Sequence, residues 1–207
     1  TTIAKESIKS YGIYERLRSI FRFHNNIAKL ANFFSNSGED LEEIVRIDSS
    51  KQPKLIDTSY NEEFALMADI IKEQRIENKH IGVICPDTKR LRSFSRYLND
   101  QNIKHSYYER NKDLRNHDFT STDPLLITSY SAKGLEFEKV IVFGFDTTSN
   151  AVHYARRDGK LKSAVFVSIT RSKSDLFIIR NANTIQEIKN LNVEEIEEGG
   201  IDLDDIF

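Results

Sequence analysis

Residues 81–101, IGVICPDTKRLRSFSRYLNDQ, decide the fold class. Their uninterrupted apolar run, Ile81–Cys85, is closed by Pro86, which is typical of a short strand buried on both faces of a parallel sheet. Apolar residues then recur every three or four positions over residues 88–101, and this spacing predicts an amphipathic helix. A buried strand that leads into a helix is the repeating unit of α/β proteins.

The same alternation continues on both sides of this stretch. Further strands are predicted at residues 44–47, 54–57, 125–128, 140–145 and 176–179, and further helices at residues 15–34, 62–75, 161–170 and 184–191. We therefore predict an α/β domain with a mainly parallel central sheet. In such sheets ligands bind beyond the carboxyl ends of the strands, so we expect the chemistry in the loops after Cys85, Thr128 and Phe145.

Composition excludes several classes of protein. The 207 residues are 39% hydrophobic and 30% charged, and no apolar run approaches the roughly 20 residues of a spanning helix, so no membrane association is expected. The lone cysteine, Cys85, excludes an internal disulfide and indicates a reducing compartment, in keeping with a cytoplasmic protein. The opening TTIAKE has no methionine, which predicts that the chain is a fragment of a longer protein.

Charge is distributed unevenly along the chain. The net charge is -2, but residues 193–207 contain seven acidic residues and no Lys or Arg, which leaves +5 on residues 1–192. We predict one domain over residues 1–192 and an acidic, flexible tail over residues 193–207. The last seven residues, IDLDDIF, are similar to the C-terminal tip of bacterial single-stranded-DNA-binding proteins. This similarity implies a protein partner for the tail, and a solvated end is the alternative.

The common catalytic signatures are absent from the sequence. It contains neither a Gly-rich phosphate loop nor a dinucleotide fingerprint, and its five histidines are too far apart for a zinc site, so no metal site is predicted. The apolar run 140–145 is followed by Asp146, as in a magnesium-binding strand. Without a phosphate loop on this chain, we expect Asp146 to be a solvated residue at a strand end.

Three segments, in order, resemble one family. Residues 128–144, TSYSAKGLEFEKVIVFG, resemble motif V of the UvrD/Rep family of superfamily 1 DNA helicases, whose core is AKGLEF. Residues 167–176, VSITRSKSDL, resemble motif VI of that family, and residues 21–32, FRFHNNIAKLAN, resemble its motif IV, the least well matched of the three. The order and spacing agree over about residues 15–180.

The resemblance implies the second, RecA-like motor domain of an ATP-dependent DNA helicase or translocase, a three-layer fold with helices on both faces of the sheet. This half lacks the phosphate loop and closes on ATP and Mg²⁺ held mainly by an N-terminal RecA-like domain. By match to motifs IV and VI, Arg22 and Arg171 are the candidate catalytic arginine fingers, which stabilise the negative charge that develops on a transferring phosphoryl group. The alternatives are a surface-helix arginine at 22 and a charge favoured by a helix C-terminus at 171.

Motif V also carries candidate nucleotide contacts. The resemblance implies that Glu136 accepts hydrogen bonds from the ribose of the nucleotide, with a helix-start acid as the alternative. Gly134 permits a tight turn before it. Lys133 is expected to orient this loop or to pair with a carboxylate.

Contacts to single-stranded DNA are implied at the start of motif V. Thr128, Ser129 and Tyr130 match positions that touch DNA in the family, and Tyr130 replaces the usual histidine with an aromatic ring that can stack on a base. A partly buried tyrosine is the alternative. The strand that ends in Tyr-Arg in the family ends here in Cys-Pro, and three nearby residues are candidate substitutes for that contact: Thr88, Lys89 and Arg92. An ordinary solvated helix face is the alternative for these three.

One departure concerns size. Family members such as Rep and UvrD carry a large inserted subdomain between the strand near Tyr107 and motif V, whereas only about 17 residues intervene here. The chain therefore resembles the compact members. A non-catalytic helicase-like module that binds nucleic acid or protein remains the rival interpretation, and an unrelated Rossmann-like enzyme is a third.

Overall fold

The computed structural model describes residues 19–36, 40–77, 79–108 and 113–192. Its sheet has six strands: β1 (Lys54–Asp57), β2 (Ile81–Cys85), β3 (Ser106–Tyr107), β4 (Leu125–Thr128), β5 (Phe137–Val142) and β6 (Ser172–Arg180). The strands lie in the order β1-β6-β5-β2-β4-β3, and every neighbouring pair is parallel.

Helices cover both faces of the sheet. They are α1 (Asn25–Asn32), α2 (Glu63–Gln74), α3 (Thr88–Asp100), α4 (Asn150–Arg157), α5 (Leu161–Ile169) and α6 (Gln186–Lys189), with short 3₁₀ turns at Arg75–Glu77 and Asp113–Asn116. Buried residues of α1, α4, α5 and α6 form one core cluster, and those of α2 and α3 form the other. The predicted α/β fold, with a parallel sheet between two helical layers, is confirmed.

Alternation along the strands explains the two core clusters. In β5, Val140 and Val142 pack into the cluster that contains α1 and α5, whereas Ile141 packs into the cluster that contains α2 and α3. Successive side chains of a strand point to opposite faces, so a stretch covered on both sides is apolar at nearly every position, with the buried Lys139 of β5 as an exception. This is why the central strands were recognisable as uninterrupted apolar runs.

The predicted helix over residues 15–34 is wrong in the part that precedes Asn25. Residues 15–18 lie outside the described residues, and Ile20 forms an isolated parallel bridge with Val45 instead of a helical turn. The amide of Ile20 donates to the Ile44 carbonyl at 2.7 Å, and the amide of Arg46 donates to the Ile20 carbonyl at 3.0 Å. Because this pairing takes the backbone groups of Ile20, the helix begins only after His24. The predicted strand 44–47 is likewise reduced to this single bridge.

Two other elements differ from expectation. Helix α4 was not predicted, because a single buried residue, Val152, gives it too little apolar periodicity to detect. Strands β5 and β6 begin three and four residues earlier than their apolar runs, at Phe137 and Ser172. Within the part of the chain that the structure describes, no helix has both the length and the apolar composition needed to cross a membrane.

Gly82 is required by close packing in the middle of the sheet. A Cβ atom at this position would lie 2.5 Å from the Cδ2 atom of the Phe137 ring. We expect Gly82→Ala to lower the free energy of unfolding by about 1–3 kcal/mol, because the ring has to move out of a packed core. Urea unfolding measures the change, and Ser93→Ala on the exposed side of α3 is the control, with an effect below about 0.5 kcal/mol. An unchanged unfolding midpoint in Gly82→Ala would show that the core accommodates the methyl group.

Candidate functional site

Glu136 and Arg171 are brought together by the register of two neighbouring strands. Glu136 directly precedes β5 and Arg171 directly precedes β6, and Phe137 pairs with Ser172 across the sheet. The Phe137 amide donates to the Arg171 carbonyl at 2.9 Å. Both side chains therefore lie at the amino ends of the strands, and not at the carboxyl ends where the chemistry was expected.

Arg22 reaches the same rim from the segment before α1. The bridge between Ile20 and Val45 holds this segment against the domain, and the Nε atom of Arg22 lies 2.5 Å from Oε1 of Glu136. Arg22, Glu136 and Arg171 line one groove of about 480 Å³. The structure thus brings together three of the residues that the sequence singled out for nucleotide contact.

The guanidinium of Arg171 is fixed by the surrounding protein. Nε donates to the Val167 carbonyl at 3.1 Å, Nη1 donates to the Leu135 carbonyl at 3.1 Å, and Nη2 donates to Oγ1 of Thr170 at 3.2 Å. These bonds leave two of the five N–H donors of a guanidinium, at a residue that is 6% exposed. Arg171 is therefore a rigid positive group in the wall of the groove.

The groove carries an excess of positive charge. Burial, and next the charge of Arg22, lowers the pKa of Arg171, whereas Glu136 raises it. An arginine remains protonated despite such a shift, so two cations face one carboxylate. Lys173 adds a third cation, with its Nζ atom 3.7 Å from Oε2 of Glu136 and 3.8 Å from Oε1 of Glu138, so three cations face two carboxylates. A site with this balance favours an anion.

Phe21 is a groove residue that sequence reasoning missed. It was placed on the apolar face of the predicted helix, but it is 71% exposed and lines the groove beside Arg22. The flanking residue Phe23 is buried at 3%. Phe21 and Phe23 differ in exposure because no helix forms at this point. The periodicity of the sequence predicts a helix here and therefore could not reveal the difference.

Residues 129–136 connect the two rims of the sheet without a helix. They leave the carboxyl end of β4 and return to the amino end of β5, a distance that parallel strands usually cross with a helix. Gly134 has φ of 92° in this crossover, a conformation that favours glycine. Lys133 is exposed and lines a second groove, with Tyr130, rather than the groove of Arg22.

The candidate nucleic-acid residues lie at the carboxyl rim. Cys85 pairs with Thr128, and the Ser129 amide donates to the Cys85 carbonyl at 3.2 Å, so the ends of β2 and β4 are adjacent. Tyr130 is 82% exposed beyond them, which excludes the partly buried alternative. The hydroxyl of Ser129 is turned inward and accepts a hydrogen bond from Ser168 at 3.1 Å. The Oγ1 atom of Thr128 hydrogen-bonds within the crossover.

Helix α3 brings the remaining candidates to this rim. The carboxylate of Asp87 accepts hydrogen bonds from the amides of Lys89 and Arg90 and caps the helix N-terminus. Thr88 and Lys89 therefore lie in the first turn, half-buried and exposed respectively, and Arg92 is half-buried one turn later.

A buried polar cluster supports the carboxyl rim from below. Arg90 forms an ion pair with Glu63, which is fully buried, and Asn181 donates hydrogen bonds to both Glu63 and Asp146. Asp146 is 3% exposed, so the expectation of a solvated aspartate is wrong. Burial raises the pKa of Glu63 and of Asp146, and the charge of Arg90 lowers both. Within the described ranges no three His, Cys, Asp or Glu side chains are arranged to hold a metal ion.

No protein-family model and no curated protein sequence matches this chain. Among solved structures, the C-terminal domain of a possible DNA helicase from Lactobacillus plantarum WCFS1 is similar, with a TM-score of 0.63 and 14% sequence identity. The match covers 84% of this chain and 95% of that one. At this identity the likeness concerns the fold alone: the chain has the α/β, RecA-like fold of that domain.

Two further solved structures match at lower TM-scores. Xpd4 of S. tokodaii has a TM-score of 0.33 and 11% identity, over 67% of this chain and 36% of its own. The C-terminal part of the Fun30 ATPase domain has a TM-score of 0.37 and 12% identity, over 94% and 83%. Scores this low add nothing to the argument.

Proposed function

We propose that the chain is the C-terminal motor domain of an ATP-dependent DNA helicase or translocase of the UvrD/Rep type. The observation that carries this proposal is the single groove lined by Arg22, Glu136 and Arg171. Each of the three comes from a different motif of the resemblance, and they are distant along the chain. A scaffold without nucleotide chemistry has no evident need to assemble them.

The two arginines act on the phosphates of ATP held by a partner domain with a phosphate loop. The transition state of phosphoryl transfer spreads negative charge over the oxygens of the γ-phosphoryl group, and forked guanidinium donors stabilise that charge. Arg171 supplies a fixed positive group. Arg22, whose side chain is 45% exposed, supplies a mobile one that exchanges Glu136 for phosphate when the two domains close. Mg²⁺ bound with ATP is assigned to the partner domain.

The remaining groove residues suit the nucleoside. Once Arg22 turns to the phosphates, the carboxylate of Glu136 is free to accept hydrogen bonds from ribose hydroxyls. The exposed ring of Phe21 offers a flat apolar face to a base. Gly134 allows the turn that directs Glu136 to the rim. Lys133 does not contact the nucleotide, since it lines the second groove and not the groove of Arg22.

The crossover also gives a route for coupling. Tyr130 at the carboxyl rim and Glu136 at the amino rim belong to the same helix-free segment. We assign single-stranded DNA to the carboxyl rim, where Tyr130 presents its ring and where Thr88, Lys89 and Arg92 lie at the start of α3. Ser129 and Thr128 would contact DNA through backbone groups, since their hydroxyls are bonded within the domain. Closure on ATP then displaces the DNA-binding end of the same segment.

The test is ATP hydrolysis by the full-length protein that carries this chain, with and without oligo(dT). We expect single-stranded DNA to stimulate hydrolysis, and we expect the 207-residue chain alone to hydrolyse none. DNA binding by the full-length protein without hydrolysis would contradict the proposal and favour the non-catalytic module.

A further inference from the structure

A second groove, of about 470 Å³, lies between the crossover and the turn that joins α4 to α5. Two exposed tyrosines line it, Tyr130 at 82% and Tyr154 at 54%. Two lysines, Lys133 and Lys160, stand in the same lining. Tyr130 belongs to the segment that resembles motif V, but Tyr154 belongs to a helix that the sequence did not reveal.

The local structure of α4 explains why Tyr154 is presented to solvent. Ser149 caps the helix by accepting a hydrogen bond from the Val152 amide, and Val152 is the residue that α4 buries. The chain then reverses at Gly159, with φ of 67°, and the Lys160 amide donates to the Ala155 carbonyl at 2.7 Å. The reversal brings Lys160 back beside the last turn of α4.

The chemistry of the groove suits a base attached to an anionic backbone. The guanidinium carbon of Arg157 lies 5.1 Å from the centroid of the Tyr154 ring, and the His153 ring meets the same ring edge-on with centroids 6.0 Å apart. A base would stack on the face of Tyr154 that is turned away from the Arg157 cation. Lys133 and Lys160 are exposed and oppose a single lining carboxylate, that of Asp158. Aromatic rings interleaved with cations are the usual components of single-strand binding surfaces.

We propose that this groove binds an unstacked base of single-stranded DNA against Tyr154, next to the contact made by Tyr130. The inference rests on the proposed function, because it extends the candidate DNA surface from the carboxyl rim onto α4 and α5. The two surfaces are continuous, since Tyr130 belongs to both. The DNA path thus crosses the rim from the start of α3 to the turn after α4.

The experiment is fluorescence anisotropy of a labelled oligo(dT) of about 12 nucleotides at low salt, with the 207-residue chain. We expect Tyr154→Ala to weaken binding at least about fivefold, because stacking on one base is lost. Tyr154→Phe is the matched control. It keeps the stacking face and should bind within about twofold of wild type. An oligonucleotide with 5-iodouracil should photo-cross-link to Tyr154.

Each other outcome overturns the inference in a distinguishable way. If Tyr130→Ala weakens binding and Tyr154→Ala does not, and no cross-link forms at Tyr154, the groove is refuted while the proposed function stands. If wild type binds no oligo(dT), the inference fails, and the proposed function is decided separately by DNA-stimulated ATP hydrolysis of the full-length protein. If Tyr154→Ala weakens binding of the peptide IDLDDIF but leaves DNA binding unchanged, the occupant of the groove is an acidic peptide and the inference is wrong.

Discussion

Replacing Arg22 with alanine in the full-length protein will lower kcat for ATP hydrolysis by about 10³-fold or more, the range found for arginine fingers. The side chain is 45% exposed and its ion pair is with Glu136, so little of the fold depends on it. We expect ATP affinity and melting temperature to change little. Arg115→Ala is the matched control, since Arg115 is an exposed arginine outside both grooves. Normal turnover in Arg22→Ala would contradict its role.

Comparison of Arg171→Ala with Arg22→Ala distinguishes an effect on ATP hydrolysis from an effect on the stability of the domain. It should remove hydrolysis to a similar extent and also destabilise the domain, because three hydrogen bonds from a buried guanidinium are lost. Bonds of this kind to charged groups contribute about 1.5–3 kcal/mol each. Nothing in the motif VI pattern indicates that the guanidinium also holds the carbonyls of Val167 and Leu135.

Arg90→Ala should lower the free energy of unfolding by about 3–5 kcal/mol, the usual cost of removing one partner of a buried ion pair. Glu63 is fully buried and Asp146 is 3% exposed, and Arg90 is the cation that compensates both. The guanidinium also lies over the ring of Tyr60, 3.7 Å from its centroid. Urea unfolding near neutral pH measures the loss. A change below about 1 kcal/mol would contradict this account of the cluster.

The loss in Arg90→Ala should also depend on pH. Burial already raises the pKa of Glu63 and of Asp146, and removal of Arg90 raises both further. The folded variant then binds more protons than the unfolded chain between the ordinary pKa of each group, 4.5 for Glu63 and 3.8 for Asp146, and the raised pKa of that group in the folded state. Its stability therefore falls as pH rises across this window, levels off above the raised pKa values, and recovers on acidification. Glu63→Gln in the same variant should remove part of this dependence, because the buried group no longer ionises.

The core strands were predictable because burial on both faces of the sheet produces an uninterrupted apolar run in the sequence. Ile81–Cys85 and Leu125–Thr128 were found at their observed bounds, since every residue of such a strand packs against a helix. The segment before Asn25 was not predictable. Ile20 and Phe23 have helical spacing, but the hydrogen bonds of Ile20 go to a segment more than twenty residues away. Local periodicity carries no information about such a partner.

The sequence singled out three residues that the structure brings together, but it did not give the rim of the sheet at which they lie. Motif resemblance selected Arg22, Glu136 and Arg171, while the general rule for parallel sheets directed attention to the carboxyl rim. That rule describes ligands held by the loops that follow the strands. Glu136 precedes β5 at the end of the helix-free crossover over residues 129–136, and Arg171 precedes β6 after α5. The sequence contains no pattern that predicts the burial of Asp146 or the exposure of Phe21.

The most direct test of the central claim is a structure of the full-length protein with ADP and aluminium fluoride, a mimic of the transferring phosphoryl group. The account predicts donors of both Arg22 and Arg171 within hydrogen-bond distance of the fluoride, with Glu136 released from Arg22 and directed to the ribose. A nucleotide bound away from the amino rim, with Arg22 still paired to Glu136, would contradict it.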